Sequence, residues 1–371
     1  MDPIGTVVRP PLLRGRQTTT QLSIRWTSYW PTNCLYLLGL QSALQQFPLE
    51  NKSLQPLLAS LPSILVHSRA DSTVNNYFYA YQAWERWAHS YGVVPLPAQA
   101  FSFGLYLLSR IQDGSTYPVV KGAFYGVKHV HNLFMVADPT TQTLVINLLE
   151  ASKRLDKHVV AKKEPITTDI LRKLYASTVV SKGTLNDIRV MCFCILGYSG
   201  FLRYEEIASL RVCDLSFEPT HMKIFVEKSK TDQYRDGKWL FISNGVTELC
   251  PSKIVRMYLN KCGITDFSSD EYLFRGIAKG KTYEKLRKGN KALSYTRVRE
   301  ILLTALKEIG LEPKLFGTHS LRSGGATEAA NAGVPDRLFK KHGRWRSESA
   351  KDGYVKDNTQ QLLRVSRSLG L

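Results

Sequence analysis

The stretch STVNNYFYAYQAWERWAHSYG, residues 72–92, spaces Tyr77, Tyr81, Trp84 and Ala88 three or four residues apart. That spacing returns side chains to one face of an α-helix, so a long amphipathic helix with an aromatic stripe is predicted, ending at Gly92. The stripe could face a core or offer a platform on which bases stack, and inward packing is the commoner outcome at helical spacing. Three more stretches, AQAFSFGLYLLSRIQ, YPVVKGAFYGVKHVHNLF and TQTLVINLLEASKRLDKH, read as helices in the same way. Four helices between about 60 and 160, joined by short connections, predict an all-α bundle.

The pattern differs on either side of this bundle. Residues 1–52 mix Thr, Gln, Arg and Pro without sustained periodicity and are expected to be a poorly ordered leader, with one short helix after Pro31. Beyond the bundle, the charges and Pro165 of VVAKKEPIT mark a linker, assigned to 161–165. TTDILRKLYAS then opens a second helical region, with Thr168 or Asp169 as its cap. Within it, HMKIFVEKSKTDQYRDGKWLFIS alternates apolar and polar residues on both sides of a polar centre, which argues for a strand pair. The expected organisation is a leader (1–52), a helical domain (53–160), a linker (161–165) and a second domain (166–371), mainly α with a small antiparallel β-sheet.

Charge narrows the partners. Lys and Arg number 50 against 31 Asp and Glu, a net charge of +19. Such a surplus suits the phosphates of duplex DNA, although on its own it suits RNA or a membrane surface equally well. Cys34, Cys192, Cys194, Cys213, Cys250 and Cys262 form no C-x-x-C pair and have no histidines at zinc spacing. Cys192 and Cys194 lie in the apolar run VMCFCILGYSG and are expected to be small buried thiols in a reducing compartment. No signal pattern opens the chain, CLYLLGL at 34–40 is too short to span a bilayer, and no membrane partner is expected.

The residues that carry chemistry lie in the second region. Arg203 stands in GFLRYEEIASL, His319 and Arg322 in GTHSLRSGGAT, Trp345 in HGRW and Tyr354 in KDGYVKD. Cutting a phosphodiester without a metal requires a nucleophile, cations for the non-bridging oxygens and an acid for the leaving 5′-oxygen. Arg203 and Arg322 suit the oxygens because a guanidinium is permanently charged and presents a planar fork of donors. His319 and Arg322 are three residues apart, so a helix directs both at one phosphate. Thr318 or Ser320 could cap that helix, whose N-terminal amides favour a nearby anion. Tyr354 is the candidate nucleophile; a free phenol has a pKa of about 10, so it needs a base, for which His319 is placed, and cationic surroundings.

This order, Arg, then His-x-x-Arg, then an aromatic residue nine before a Tyr, resembles the tyrosine recombinases, or phage integrase family. The resemblance spans about residues 60–360 and is carried mainly by the second region. It implies a helical core-binding (SAM-like) DNA-binding bundle and a recombinase catalytic domain with a C-terminal tail, the two closing on double-stranded DNA. It implies a 3′-phosphotyrosyl intermediate, no metal and no high-energy cofactor, with a monomer in free solution and a homo-tetramer on DNA. No G-x-x-x-x-G-K-[ST] string is present.

By position in the motifs, the resemblance makes Arg203 and Arg322 phosphate-binding, His319 the general base and Tyr354 the covalent nucleophile. Glu206 matches the supporting acidic residue, with Glu205 as the substitute. Lys230 in EKSKTDQYR matches the lysine that protonates the 5′-oxygen; Lys228 competes, since a strand aims both to one side, and a solvated edge lysine is the other reading. Many members place a histidine where Trp345 stands, and a minority place Trp there. Its N–H can donate to the phosphate and its ring can pack the helix carrying the tyrosine, whereas His342 is three residues too early. HGRWRS followed by Tyr is also similar to recombinases of eukaryotic mobile elements, DIRS-type retrotransposons and Cryptons, and to their domesticated host copies. The implied location is the nucleus in a eukaryote and the cytoplasm or nucleoid in a bacterium. A type IB topoisomerase and a sequence-specific DNA-binding protein without strand exchange are the alternatives. The tail carries Leu362, Leu363, Val365 and Leu369, a short apolar face that could dock on a neighbouring protomer or on its own domain.

Overall fold

The structure, a computed structural model of the chain, describes residues 51–158, 161–227, 237–280 and 283–370, with Gly39, Gln41 and Leu44. Nearly all of the expected leader, including Cys34 and the expected helix start after Pro31, lies outside the described residues. The chain divides after Val160 into two compact units.

The first unit is helical: α1 (Gln55–Leu65), α2 (Asp71–Ser90), α3 (Ala100–Gln112), α4 (Tyr117–Leu133) and α5 (Thr143–Leu155). The aromatic stripe of α2 faces inward. Tyr81, Trp84 and Ala88 are buried, with Tyr77 half-buried at the end of the stripe, and Trp84 packs edge-on against Phe103 of α3. The indole N–H of Trp84 donates to the Pro95 carbonyl at 3.1 Å, so the buried ring leaves no polar atom unpaired. α2 and α4 approach closely at Gly126, where an added Cβ would meet the Tyr77 carbonyl at 2.8 Å. Gly92 takes a left-handed turn (φ 65°) and ends α2 as its position predicts. α1 falls outside the predicted helical stretches; Leu57 and Ile64 on it remain exposed, so it has no clear buried stripe to read.

The second unit is built on α7 (Leu185–Ser199), which follows α6 (Thr168–Tyr175) and its π-helical extension Ala176–Lys182. Almost every residue from Leu185 to Gly197 is buried, because neighbours surround this helix. Cys192 and Cys194 are among its buried residues. The cap of α6 is Thr167, whose hydroxyl accepts from the Ile170 N–H at 3.3 Å, one residue before the expected Thr168 or Asp169. Thr168 instead shares a hydrogen bond with the Tyr198 hydroxyl at 2.9 Å. Before it, Glu164 and Ile166 donate backbone hydrogen bonds to Leu315 and Ser320, which ties this segment into the second unit.

After α8 (Tyr204–Ala208) come β1 (Leu215–Phe217), β2 (His221–Val226) and β3 (Lys238–Ser243), antiparallel in the order β1-β2-β3. Met222, Ile224 and Val226 alternate inward against Leu240 and Ile242, in the register Val226↔Lys238. The expected strand pair is therefore present with a third strand added, too short to show a period. A second hairpin, β4 (Ile277–Lys279) with β5 (Glu284–Leu286), follows α9 (Pro251–Cys262). The helices α10 (Tyr295–Glu308), α11 (His319–Asn331), α12 (Asp336–Gly343), α13 (Glu348–Asp352) and α14 (Thr359–Arg367) complete the unit. No helix among the described residues is long and apolar enough to cross a membrane.

Candidate functional site

The site is assembled where α7 ends. Gly200 and Phe201 turn the chain sharply, with Phe201 in the left-handed region (φ 47°), an uncommon conformation for a bulky residue. Arg203 occupies the N-cap of α8, and Glu206, three residues on, reaches back to accept its backbone N–H at 2.9 Å. A capping carboxylate thereby becomes an ion-pair partner, since Glu206 Oε1 also accepts from the Arg203 guanidinium at 2.8 Å. Glu206 is buried against this arginine, whereas Glu205, the other candidate, is exposed.

α11 brings the second arginine beneath this turn. Two glycines let it pack closely: a Cβ on Gly325 would run into the Tyr198 carbonyl of α7, and one on Gly324 into the Ile166 carbonyl before α6. Arg322 is fully buried, with one guanidinium nitrogen on the Phe201 carbonyl and another 2.5 Å from the carbonyl of Gly343. Its Nε has no hydrogen-bond partner among the described residues. Burial and the neighbouring Arg203 push the Arg322 guanidinium down to about 9, still charged at neutral pH. Neither expected cap of α11 operates: Thr318 is the N-cap residue without a side-chain cap, and Ser320 Oγ accepts from the Gly317 N–H instead.

Trp345 is buried between Phe201 and Phe339, its ring 4.7 Å from the Arg322 guanidinium carbon. Its indole N–H is buried without a partner among the described residues. Gly343 permits this placement, since a Cβ there would strike the indole. Tyr354 follows α13 on a turn held to α11 by Ser323, whose hydroxyl donates to the Tyr354 carbonyl at 2.6 Å. The Tyr354 ring lies over Arg322 at 4.9 Å, and its hydroxyl is 3.5 Å from His319 Nδ1, the outer limit of a hydrogen bond. His319 is exposed at the rim. His342 is elsewhere engaged, its Nε2 2.8 Å from the Ser199 carbonyl, and burial lowers its pKa.

The structure thus gathers Arg203, Glu206, His319, Arg322, Trp345 and Tyr354 around one point. Lys230 and Lys228 lie outside the described residues. One neighbour of these residues escaped the sequence reading: Arg344, whose side chain is buried and whose Nη2 donates to Glu206 Oε2 at 2.9 Å. In KKHGRWRS it looks like one more solvated charge, and its partner is 138 residues away. Burial acts to raise the Glu206 pKa, but Arg344, Arg203 and Arg322 outweigh it and hold the carboxyl below its ordinary value. Three guanidiniums face this one carboxylate, and such a cationic surplus in a poorly hydrated place favours an anion.

A helical unit, a mainly helical unit with a small sheet, and arginines set against a tyrosine form a site suited to an anion such as a phosphodiester. The phage integrase family model matches residues 151–361, and the chain belongs to that family. An integrase/recombinase xerD homolog of Selenomonas ruminantium is 26% identical over 294 residues, 78% of this chain and 83% of that protein. The recombinase cre of Escherichia phage P1 is 27% identical over 179 residues, 46% of this chain and half of that protein's length. The fold is similar to that of the XerH site-specific recombinase, solved bound to a palindromic difH substrate in a post-cleavage complex. The TM-score is 0.55 at 14% identity, with 91% of this chain and 96% of that one covered.

Proposed function

We propose that the protein is a site-specific DNA recombinase that cuts and rejoins duplex DNA through a 3′-phosphotyrosyl intermediate. The observation that carries this reading is the buried cationic cluster set directly against Tyr354, with Arg322 4.9 Å from its ring. In the proposed reaction the Tyr354 oxygen attacks phosphorus, its proton passing to His319, and the 5′-oxygen leaves with a proton from Lys230. Arg203, Arg322 and the indole N–H of Trp345, unpartnered among the described residues, hold the non-bridging oxygens as charge develops on them. Glu206 positions Arg203. The phosphotyrosine conserves the energy of the broken bond, so a 5′-hydroxyl from another strand can reverse the step and exchange the strands.

We extend the proposal to assembly as a monomer in solution and a homo-tetramer on DNA. Leu362, Leu363 and Val365 of α14 are exposed, and an uncovered apolar face on a short helix favours docking on a neighbouring protomer. The relatives named above, an integrase/recombinase homolog and a recombinase, support strand exchange over relaxation or DNA binding alone.

The test begins with a pool of nicked duplexes of randomised sequence, from which those covalently captured by the protein are selected under denaturing conditions. Two copies of a selected site are then placed on a supercoiled plasmid and incubated with the protein in EDTA. Deleted or inverted product is expected. Relaxation without recombinant product would make the protein a topoisomerase, and binding without either would make it a DNA-binding protein.

A further inference from the structure

Arg344 combines two features that a chain ordinarily avoids. Its backbone is left-handed (φ 56°), a conformation glycine adopts freely and a residue with a side chain adopts at a cost. Its side chain, only 6% exposed, buries a charge. A residue held on strained backbone with a buried charge is retained for what it contacts.

Those contacts converge on the segment that carries Arg203. One terminal nitrogen donates to the carbonyls of His342 (2.9 Å) and Gly200 (3.3 Å), the other to the Phe201 carbonyl (3.2 Å) and to Glu206 Oε2 (2.9 Å). The Glu206 carboxylate is therefore divided, Oε1 to the Arg203 guanidinium and Oε2 to Arg344 and the Arg203 backbone N–H, while Arg322 stands off from Oε2 at 3.9 Å. Without Arg344, that gap is short enough for the Arg322 guanidinium to close onto the carboxylate. The pair would neutralise one of the charges that a bound anion uses.

We infer that Arg344 is a positioning residue: by occupying Glu206 Oε2, it keeps the Arg322 guanidinium, held by the Phe201 and Gly343 carbonyls, from closing onto the carboxylate and leaves its charge available to an anion. The inference rests on the phosphodiester-cleaving reading of the site and deepens it. Arg344 does not touch the substrate; it acts through Glu206 on Arg322.

The experiment uses the full chain and the substitution Arg344→Gly, which removes the charge and relieves the left-handed strain together. Three quantities are measured: melting temperature, single-turnover adduct formation on a selected nicked duplex, and the rise in melting temperature produced by orthovanadate. The expected result is an unchanged or higher melting temperature without ligand. Adduct formation slows on the order of tenfold or more at saturating protein, with duplex affinity nearly constant. The vanadate-induced rise shrinks, and adding Glu206→Gln to Arg344→Gly restores part of it, because Arg322 then has no carboxylate to close onto. If the wild-type chain forms no adduct but loses its vanadate response in Arg344→Gly, the positioning role stands and the cleavage reading fails. A wild-type vanadate response in Arg344→Gly overturns the inference. So does a loss that merely follows a fall in melting temperature, or one that Glu206→Gln leaves unrelieved.

Discussion

The second unit has two interiors. The larger surrounds α7 and is mostly apolar, running from Ile166 and Leu171 through Leu196 to Tyr258 and Leu302, with Arg189 of α7 as a buried charge that donates to the Arg275 carbonyl at 2.9 Å. The smaller, Phe201, Ala326, Phe339 and Trp345, lies under Tyr354 and wraps charged groups: Arg322, Arg344 and Glu206 are all buried beside it. In the first, each buried apolar side chain removes area from water at about 25 cal/mol per Å² and stabilises the fold. In the second, guanidiniums are desolvated and two non-glycine residues, Phe201 and Arg344, are left-handed. The contrast teaches where this chain accepts reduced stability in exchange for chemistry.

The sharpest way to separate the two interiors is one truncation in each. Arg322→Ala is expected to slow cleavage by a factor on the order of 10²–10³, as for loss of a transition-state donor, while duplex binding falls much less. Stability should fall less than for a core truncation: the Phe201 and Gly343 carbonyls lose a donor, but the cost of burying the charge is relieved and Glu206 keeps Arg203 and Arg344 as partners. Leu196→Ala, at a fully buried position of α7, should lower unfolding free energy by about 2–5 kcal/mol and leave cleavage near normal at low temperature. Denaturant titration beside single-turnover cleavage reads both. If Arg322→Ala loses as much stability as Leu196→Ala, the distinction between the interiors collapses.

Within the smaller interior, Trp345 joins packing, by its ring, to the site, by its N–H. Trp345→Phe keeps most of the packing and removes the unpartnered donor, so cleavage should fall on the order of tenfold, the value of one hydrogen bond to a charged group. The melting temperature should hardly move. Trp345→Ala should lose activity together with about 3–5 kcal/mol of stability. Full activity in the Phe variant would reduce Trp345 to packing.

How far the sequence revealed these features depends on the range of the interaction concerned. The helices α2 to α5 of the first unit were legible from apolar residues at the helical period, as with Tyr81, Trp84 and Ala88 of α2, where burial follows that period. His319, Arg322, Trp345 and Tyr354 were legible from fixed spacings within a single stretch of chain. The strand β1 and the hairpin β4–β5 were not, since three residues make no alternation. The cap of α6 was missed by one residue, at Thr167, because TTD offers three capping side chains in succession. Arg344 was invisible because its role comes from Glu206, which meets it only after folding.

The central claim is that Tyr354, poised over Arg322, is the residue that takes up the DNA. The direct test is to trap the full chain on a selected nicked duplex, digest the adduct with protease and nuclease, and identify by mass spectrometry the peptide that retains a nucleotide 3′-phosphate. The account predicts a single modified peptide containing Tyr354, formed equally well in EDTA and absent from Tyr354→Phe. A nucleotide linked to any other residue, or an undiminished adduct from Tyr354→Phe, would contradict it.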